Sequence, residues 1–508
     1  MQRVTILLLS IFLATSSCAA NSCKPTDASA TEPKKPDVLL IMPDQMRGDC
    51  LSIVGHPVVR TPHLDALAHE GALFRRAYTT VPSCIPARYA LLTGLYPQTS
   101  GVVGFKGMPI TYPTLPQMLR DAGYTTVLVG REMHQAPKGE PYGYQKQILG
   151  STYEADDDYD HFLKKAAPET GGIRPLVESL NICNNGWEAN PWPLADKLHP
   201  TAWIVRQARK VVADSPRDKP LFLTTSFYAP HPPLFPPKKY FDEYMKMQLP
   251  PAAHGDWVDW SAVPPPKPLS SAHRVLLEGE LLRRAQAGYF GLITHLDDQI
   301  GPLIKEFKKR SQKGKRPWVI VFVTDHGEML GDHGYFRKCE PYEGSANIPF
   351  IIAGSPDLGF QPGLRCYRPV CLEDVMPTLL TLAGVPLPKP MDGVDLGPTL
   401  RGDKRVIRPW LHLEHAPCYS EQQAFHALTD GHYKYIWRPL DGSEQLFNLD
   451  KDLREEHDLS KEPAEHVTLE KWRERLIKQL VGRPEGFSDG TKLIAGRPYP
   501  PLQEMLNK

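Results

Sequence analysis

The chain has 508 residues, enough for a large buried core and, by length alone, about two to three domains. Its 59 Lys and Arg balance 58 Asp and Glu, so no net field favours nucleic acid or an anionic membrane surface, and any anion recognition must be local. The 52 prolines punctuate apolar runs instead of forming one low-complexity tract, and the mixture of apolar and charged residues argues for a globular, enzyme-sized protein, not a disordered one.

In chain order, residues 1–20 read as an export signal: Arg3 supplies positive charge, Val4 to Ala14 is apolar, and small residues follow up to Ala20. The apolar run is too short to span a bilayer comfortably, and no later segment reads as transmembrane. The expectation is a periplasmic or secreted protein, with lipid attachment at Cys18 or Cys23 as the alternative. Residues 21–36, rich in Ser, Thr, Lys and Pro, read as a tether. Asp37 to Pro43 is a buried strand ending at the carboxylate of Asp44. Helices are predicted from Leu64 to a stop at Gly71, from Tyr89 to Thr93 before Gly94, and from Leu115 to Ala122 before Gly123. Strands follow at Thr125–Val129 and Leu221–Tyr228, then a long helix at Arg283–Phe307 and strands at Trp318–Thr324 and Pro349–Ala353. This alternation predicts an α/β fold with a mixed, mostly parallel sheet covered by helices on both faces, over residues 37–400. Tyr153–Pro200 and Leu249–Leu276 are polar and Pro-rich and read as insertions on the substrate side. From residue 401 to 508, short strands at His426–Asp430, Tyr433–Arg438 and Gln445–Asn448 and a charged helix at Pro463–Val481 predict a smaller C-terminal α+β subdomain. Nine cysteines in an exported chain raise the question of disulfides, and Cys366 and Cys371 are close enough in sequence to pair.

The chemistry concentrates at Ser83-Cys84-Ile85-Pro86-Ala87-Arg88, followed by Leu91-Leu92-Thr93-Gly94 and Tyr96-Pro97. In this order the chain resembles the formylglycine-dependent sulfatases of the alkaline-phosphatase-like superfamily, from Asp37 to about Leu459. The resemblance implies that Cys84 is oxidised after synthesis to formylglycine by a formylglycine-generating or sulfatase-maturating enzyme. One hydroxyl of the hydrated aldehyde attacks sulfur, and the other later loses its proton and expels sulfate, a second step that a thiol cannot perform. Arg88 would stabilise the oxyanion and fix its orientation.

Asp44-Gln45 and Asp325-His326 end two predicted strands far apart in sequence. The resemblance implies that these pairs, with an oxygen at residue 84, hold one divalent cation, Ca²⁺. Many relatives have Asp where this chain has Gln45 and Asn where it has His326; Gln keeps an oxygen donor, whereas imidazole nitrogen suits softer ions better. His231, after Phe227-Tyr-Ala-Pro230, matches the histidine that bonds the sulfate ester and gives a proton to the departing alkoxide. Lys338, after Gly331-Asp-His-Gly334, matches the lysine that contacts sulfate oxygens. Asp332 and His333 shape that loop. In Gly130-Arg131-Glu132-Met133-His134 the family usually has Gly-Lys-x-His. His134 fits the base that drives sulfate release, and either Arg131 replaces the lysine or Glu132 takes its place and the cation comes from elsewhere.

Asp297-Asp298 reads as structural within its helix. Trp187, Trp192, Trp257 and Trp260 either stack on sugar rings or pack the insertions down, and Glu414, His415 and His432, which precede or enter the C-terminal subdomain, either reach the pocket rim and contact substrate or, as the preferred reading, do not. The expected activity is hydrolysis of a sulfate monoester, with the aromatic, basic insertions favouring a sulfated carbohydrate. Two rivals remain: a related hydrolase acting on a phosphate or phosphonate ester, and a binding protein that retains sulfated glycans if Cys84 stays a thiol.

Overall fold

The computed structural model describes residues 34–152 and 154–507. The export signal, Cys18, Cys23 and most of the tether lie outside the described residues. Fourteen strands occur among them: β1 (Asp37–Asp44), β2 (Ala72–Phe74), β3 (Ala77–Tyr78), β4 (Thr125–Gly130), β5 (Lys146–Leu149), β6 (Leu221–Pro230), β7 (Trp318–Val323), β8 (Phe350–Gly354), β9 (Leu364–Cys366), β10 (Val370–Cys371), β11 (Leu411–His415), β12 (Phe425–Thr429), β13 (Tyr433–Trp437) and β14 (Glu444–Asn448). Eight form one sheet in the order β5-β4-β6-β1-β7-β8-β2-β9. All neighbours run parallel except around β8, which is antiparallel to β7 and β2.

The apolar runs settle at the centre of this sheet because strands there are covered on both faces. Every residue of β1, β6 and β7 is buried. Successive side chains point to opposite faces. Leu39 and Ile41 of β1 join the core beneath the helices Pro200–Asp214 and Gly279–Gly314, whereas Val38, Leu40 and Met42 join the core shared with Cys84–Thr93 and Val375–Leu382. The buried Asp37 at the start of β1 is neutralised by Arg310 and accepts from Ser311 Oγ (2.8 Å) and the Leu221 amide (2.8 Å).

Four adjacent strands, β4, β6, β1 and β7, are parallel, so their carboxyl ends open on one edge, where open α/β sheets place ligands. The predicted helix Leu64–Gly71 is Pro62–Glu70, and the helix predicted from Tyr89 starts at Cys84 itself. The long helix runs from Gly279 to Gly314, well beyond the predicted ends. Strands β11 to β14 form a separate antiparallel sheet, whose Leu428, Tyr435 and Trp437 pack on Leu469, Trp472 and Leu476 of the helix His466–Gln479.

Two expectations change. Cys366 and Cys371 are both free, because β9 belongs to the large sheet and β10 pairs with β3 in a separate ribbon. The segment Tyr153–Pro200 is not merely a polar insertion: it folds into the helices Asp158–Ala166 and Ile173–Ser179, and Trp187 and Trp192 are buried in the main core. No described helix is long and apolar enough to cross a membrane.

Candidate active site

Cys84 is the first residue of the helix Cys84–Thr93, and Ser83 before it is extended. The motif spacing follows from that start. Pro86 falls in the first turn, where its missing N–H costs no intrahelical bond. Arg88, four residues on, lies on the same face as Cys84. The side chain at residue 84 therefore sits at the positive end of a helix, which favours negative charge on it.

Arg88 is fully buried and binds two strand ends at once. Its Nη2 donates to Asp44 Oδ2 (2.7 Å) and its Nε to Asp325 Oδ2 (3.0 Å), and Nη1 donates to Glu132 O (3.0 Å) and Ser226 Oγ (3.2 Å). Arg131 also pairs with Asp44 Oδ2. The other oxygen, Asp44 Oδ1, lies 3.9 Å from Cys84 Sγ and 3.9 Å from His326 Nε2. Asp325 Oδ1 accepts from the amides of Gln45 (3.2 Å) and His326 (3.1 Å). Burial opposes ionisation of Asp325, yet Arg88, Arg131 and Lys338 keep its carboxyl well below the usual carboxylate range.

His326 Nδ1 donates to Gly327 O (2.9 Å), so Nε2 carries the lone pair that faces Cys84 Sγ at 3.1 Å. Burial brings its pKa down to about 3, so the ring is neutral. One ligand atom each from Asp44, Cys84, Asp325 and His326 lies within 4.8 Å of the others. Two carboxylates, each paired with a guanidinium, and a neutral imidazole lone pair are a chemically suitable donor set for a divalent cation.

Lys338 Nζ completes the group, donating to Gln45 Oε1 (2.7 Å) and Cys84 Sγ (3.1 Å). Burial still raises the Cys84 thiol above its ordinary range, Lys338 only partly offsetting this. The sulfur is thus a protonated thiol, a poor nucleophile as it stands.

The sulfatase family model matches residues 36–385, more than half of the chain, and the C-terminal model of N-sulphoglucosamine sulphohydrolase matches residues 331–481. The chain belongs to the sulfatase family. An arylsulfatase of Clostridium perfringens is 35% identical over 93% of this chain and 100% of its own length. Among solved structures, the phosphonate monoester hydrolase of Agrobacterium radiobacter superposes with a TM-score of 0.74 at 24% identity, over 87% of this chain and 95% of that one. A protein solved with its substrate D-glucosamine-2-N,6-O-disulfate superposes with a TM-score of 0.68 at 18% identity, over 88% and 98%. The chain is a sulfuric ester hydrolase on an alkaline-phosphatase-like fold.

The sulfatase brings Asp44, Gln45, Cys84, Arg88, Arg131, His134, Asp325, His326 and Lys338 into one connected network. His231 follows β6, and its amide donates to Asp44 O (3.2 Å). Its Nδ1 donates to Pro232 O at 2.5 Å, leaving Nε2 with the lone pair. Burial, with Lys338 and Arg131 nearby, lowers its pKa well below the ordinary imidazole value. Arg131 lies 4.3 Å over the Tyr228 ring and donates from Nη2 to His134 Nε2 (3.0 Å). Burial and the Arg131 and Arg88 charges also keep His134 neutral. Arg131 is thus the residue of this segment whose side chain reaches Asp44, while Glu132 lines a neighbouring cavity of about 300 Å³ with Tyr228 and Lys138.

Residues set aside earlier take definite places. Asp297 accepts from the amides of His63 (3.0 Å) and Leu64 (2.8 Å), and Asp298 from Tyr240 (2.7 Å). Asp332 accepts from Ala253 N (2.6 Å) and Arg47 Nη1 (2.8 Å), and His333 Nδ1 from Gly255 N (3.2 Å), which shapes their loop. Trp187 packs edge-on to Phe336 and Trp192 against His199, Trp257 stacks on Tyr342, and Trp260 stacks on His254. Glu414 pairs with Arg483 and His432 with Asp450. His415 reaches the site wall, with Nε2 2.7 Å from Ser83 Oγ.

Sequence reading passed over Ser226, Tyr228 and Glu328. Ser226 and Tyr228 sit inside a strand with no motif to mark them. Glu328 follows Asp325 by three residues, and only that proximity could have drawn attention to it.

Proposed function

We propose that the sulfatase is exported and hydrolyses a sulfate monoester on a sulfated carbohydrate, using a formylglycine made from Cys84 and one bound divalent cation, Ca²⁺. The observation that carries this reading is the convergence of residue 84, at a helix N-terminus, with two buried carboxylates, a lysine and three neutral histidines. Asp44, Gln45, Asp325 and His326 would hold the cation with an oxygen at residue 84, and the cation would supply positive charge to a sulfate oxygen and to the hydroxyl at that residue. Conversion of Cys84 supplies that hydroxyl, which the protonated thiol cannot replace.

The remaining steps belong to side chains. Arg88 holds both carboxylates in their ionised form and faces the developing oxyanion. Lys338 contacts the sulfuryl oxygens and stabilises charge as it grows. Burial and the Lys338 and Arg131 charges keep His231 neutral; the anionic ester offsets those charges, so His231 gains a proton with substrate and passes it to the leaving alkoxide. Arg131 orients His134 and keeps it neutral; when the Arg131 hydrogen bond to Nε2 opens, that lone pair accepts the proton whose loss releases sulfate. The carbohydrate preference draws support from the glucosamine disulfate bound by the structural neighbour.

Mass spectrometry of the Cys84 peptide tests the nucleophile. The converted peptide is lighter than the thiol form and resists thiol reagents; an unmodified thiol in fully active protein would overturn the mechanism. Turnover of aryl sulfate against aryl phosphate tests the ester class, and phosphate preference would reject it. A panel of defined sulfated saccharides tests the substrate class. Loss of activity in chelator, restored by Ca²⁺, tests the cation, and the mass of the mature N-terminus tests export.

A further inference from the structure

Gln45 is held on all sides. Its φ is +65°, its amide donates to Asp325 Oδ1 (3.2 Å), and its carbonyl accepts from Tyr289 Oη (2.6 Å). With the backbone locked, one freedom matters: which end of the side-chain amide faces Lys338, whose Nζ also reaches Cys84 Sγ. Only the carbonyl end can face a cation, because the NH₂ end has donors and no free lone pair. A carboxylate would present the same atom either way, but an amide needs its orientation imposed.

Two groups impose it. Lys338 is a pure donor and takes Gln45 Oε1 at 2.7 Å. Glu328 is a carboxylate with no solvent exposure, and its Oε2 accepts from Gln45 Nε2. The second oxygen, Glu328 Oε1, is pinned by the backbone amides of Leu330 (2.8 Å) and Arg337 (2.5 Å). Glu328 thus joins Gln45 to the loop that carries Lys338. Reversing the amide would set its NH₂ against an ammonium and its carbonyl against a carboxylate, losing both bonds and leaving buried groups in repulsion.

We propose that Glu328 is a positioning residue that orients the Gln45 amide, so that its carbonyl oxygen, and not its NH₂, serves the cation site. The inference rests on the cation reading above. Glu328 itself contacts neither cation nor substrate; it acts through Gln45.

The test exchanges the two functional groups without changing their size. In Glu328→Gln, the new side-chain oxygen keeps the Leu330 and Arg337 amides, and its NH₂ confronts that of Gln45. Isothermal titration of the purified protein with Ca²⁺ is expected to show roughly a 10- to 100-fold loss of affinity, as when an outer partner of a metal ligand is removed. Thermal unfolding of the metal-free variant checks that the loop stays folded. The double variant Gln45→Glu/Glu328→Gln places a carboxylate, which needs no orienting, at position 45 and an amide donor at 328, and is expected to bind Ca²⁺ at least as tightly as the parent. Unchanged affinity in Glu328→Gln, or a double variant as weak as the single one, would overturn the proposal. A parent protein that binds no Ca²⁺ would instead overturn the cation reading on which it stands.

Discussion

Among the described residues, two acidic clusters bring potential metal ligands within 4.8 Å of one another, and they are built on opposite principles. In the first, Asp44 and Asp325 are fully buried with Arg88 between them and Arg131 and Lys338 close by. In the second, Asp297 lies beside His63 and the partly buried Asp298, and its oxygens cap the start of the helix Pro62–Glu70 through backbone amides. Burial raises the pKa of Asp297 to about 6, whereas the cations at the first cluster overcome the same penalty for Asp325. Carboxylate proximity is therefore common to the proposed catalytic centre and a helix cap. What separates them is buried positive charge, which keeps Asp325 ionised and, on the proposed function, would attract an anionic ester.

The largest expected effect comes from the nucleophile. Cys84→Ala should lower kcat/KM for a sulfate ester by roughly 10⁴-fold or more while the chain still folds, because the remaining groups only bind and polarise. The same loss from Asp297→Asn would erase the distinction between the clusters. Removing the central cation comes next. Arg88→Ala strips Asp325 Oδ2 of its guanidinium partner and leaves Asp44 dependent on Arg131. A fall in unfolding free energy of about 3–5 kcal/mol is expected in urea denaturation, together with loss of activity. Lys338→Ala should cost about 10²–10³-fold in kcat, as for loss of one charge-stabilising donor, and Lys338→Arg should recover little of it because a planar fork does not replace a compact ammonium.

The smallest effect is in pH dependence. The folded-state pKa of Asp297, about 6, lies above the ordinary aspartate value, so the native state holds the extra proton between about pH 4 and 6. Its contribution is complete below that window and is lost as pH rises through it, by about 2–3 kcal/mol. Asp297→Asn should remove this slope, less about 1 kcal/mol for the amide bond that its NH₂ cannot accept. Subtracting the two stability profiles between pH 4 and 8 isolates the effect, with turnover unchanged.

Much of the site was legible because its parts punctuate strong periodic elements. Asp44, His231 and Asp325 each follow a run of apolar residues, and such runs in an α/β pattern become buried parallel strands. Cys84 and Arg88 announce themselves by helix-start spacing. The short strands β2, β3, β9 and β10 carried too few residues for a pattern. The helices inside residues 153–200 were hidden because their apolar residues are interspersed with acids, lysines and prolines.

By itself the amino-acid sequence determined the alternating strands and helices, the nucleophile motif and the chemical types available at each strand end, because periodicity and i, i+4 spacing are local properties. Only the tertiary structure decided that β4, β6, β1 and β7 lie side by side, that Arg131 and not Glu132 enters the site, and that Trp187 and Trp192 pack the core. It alone sets Glu328 against Gln45, a contact across 283 residues of chain. Those outcomes depend on desolvation and pairing between distant segments, and a buried charge or amide is oriented by whatever the fold places beside it.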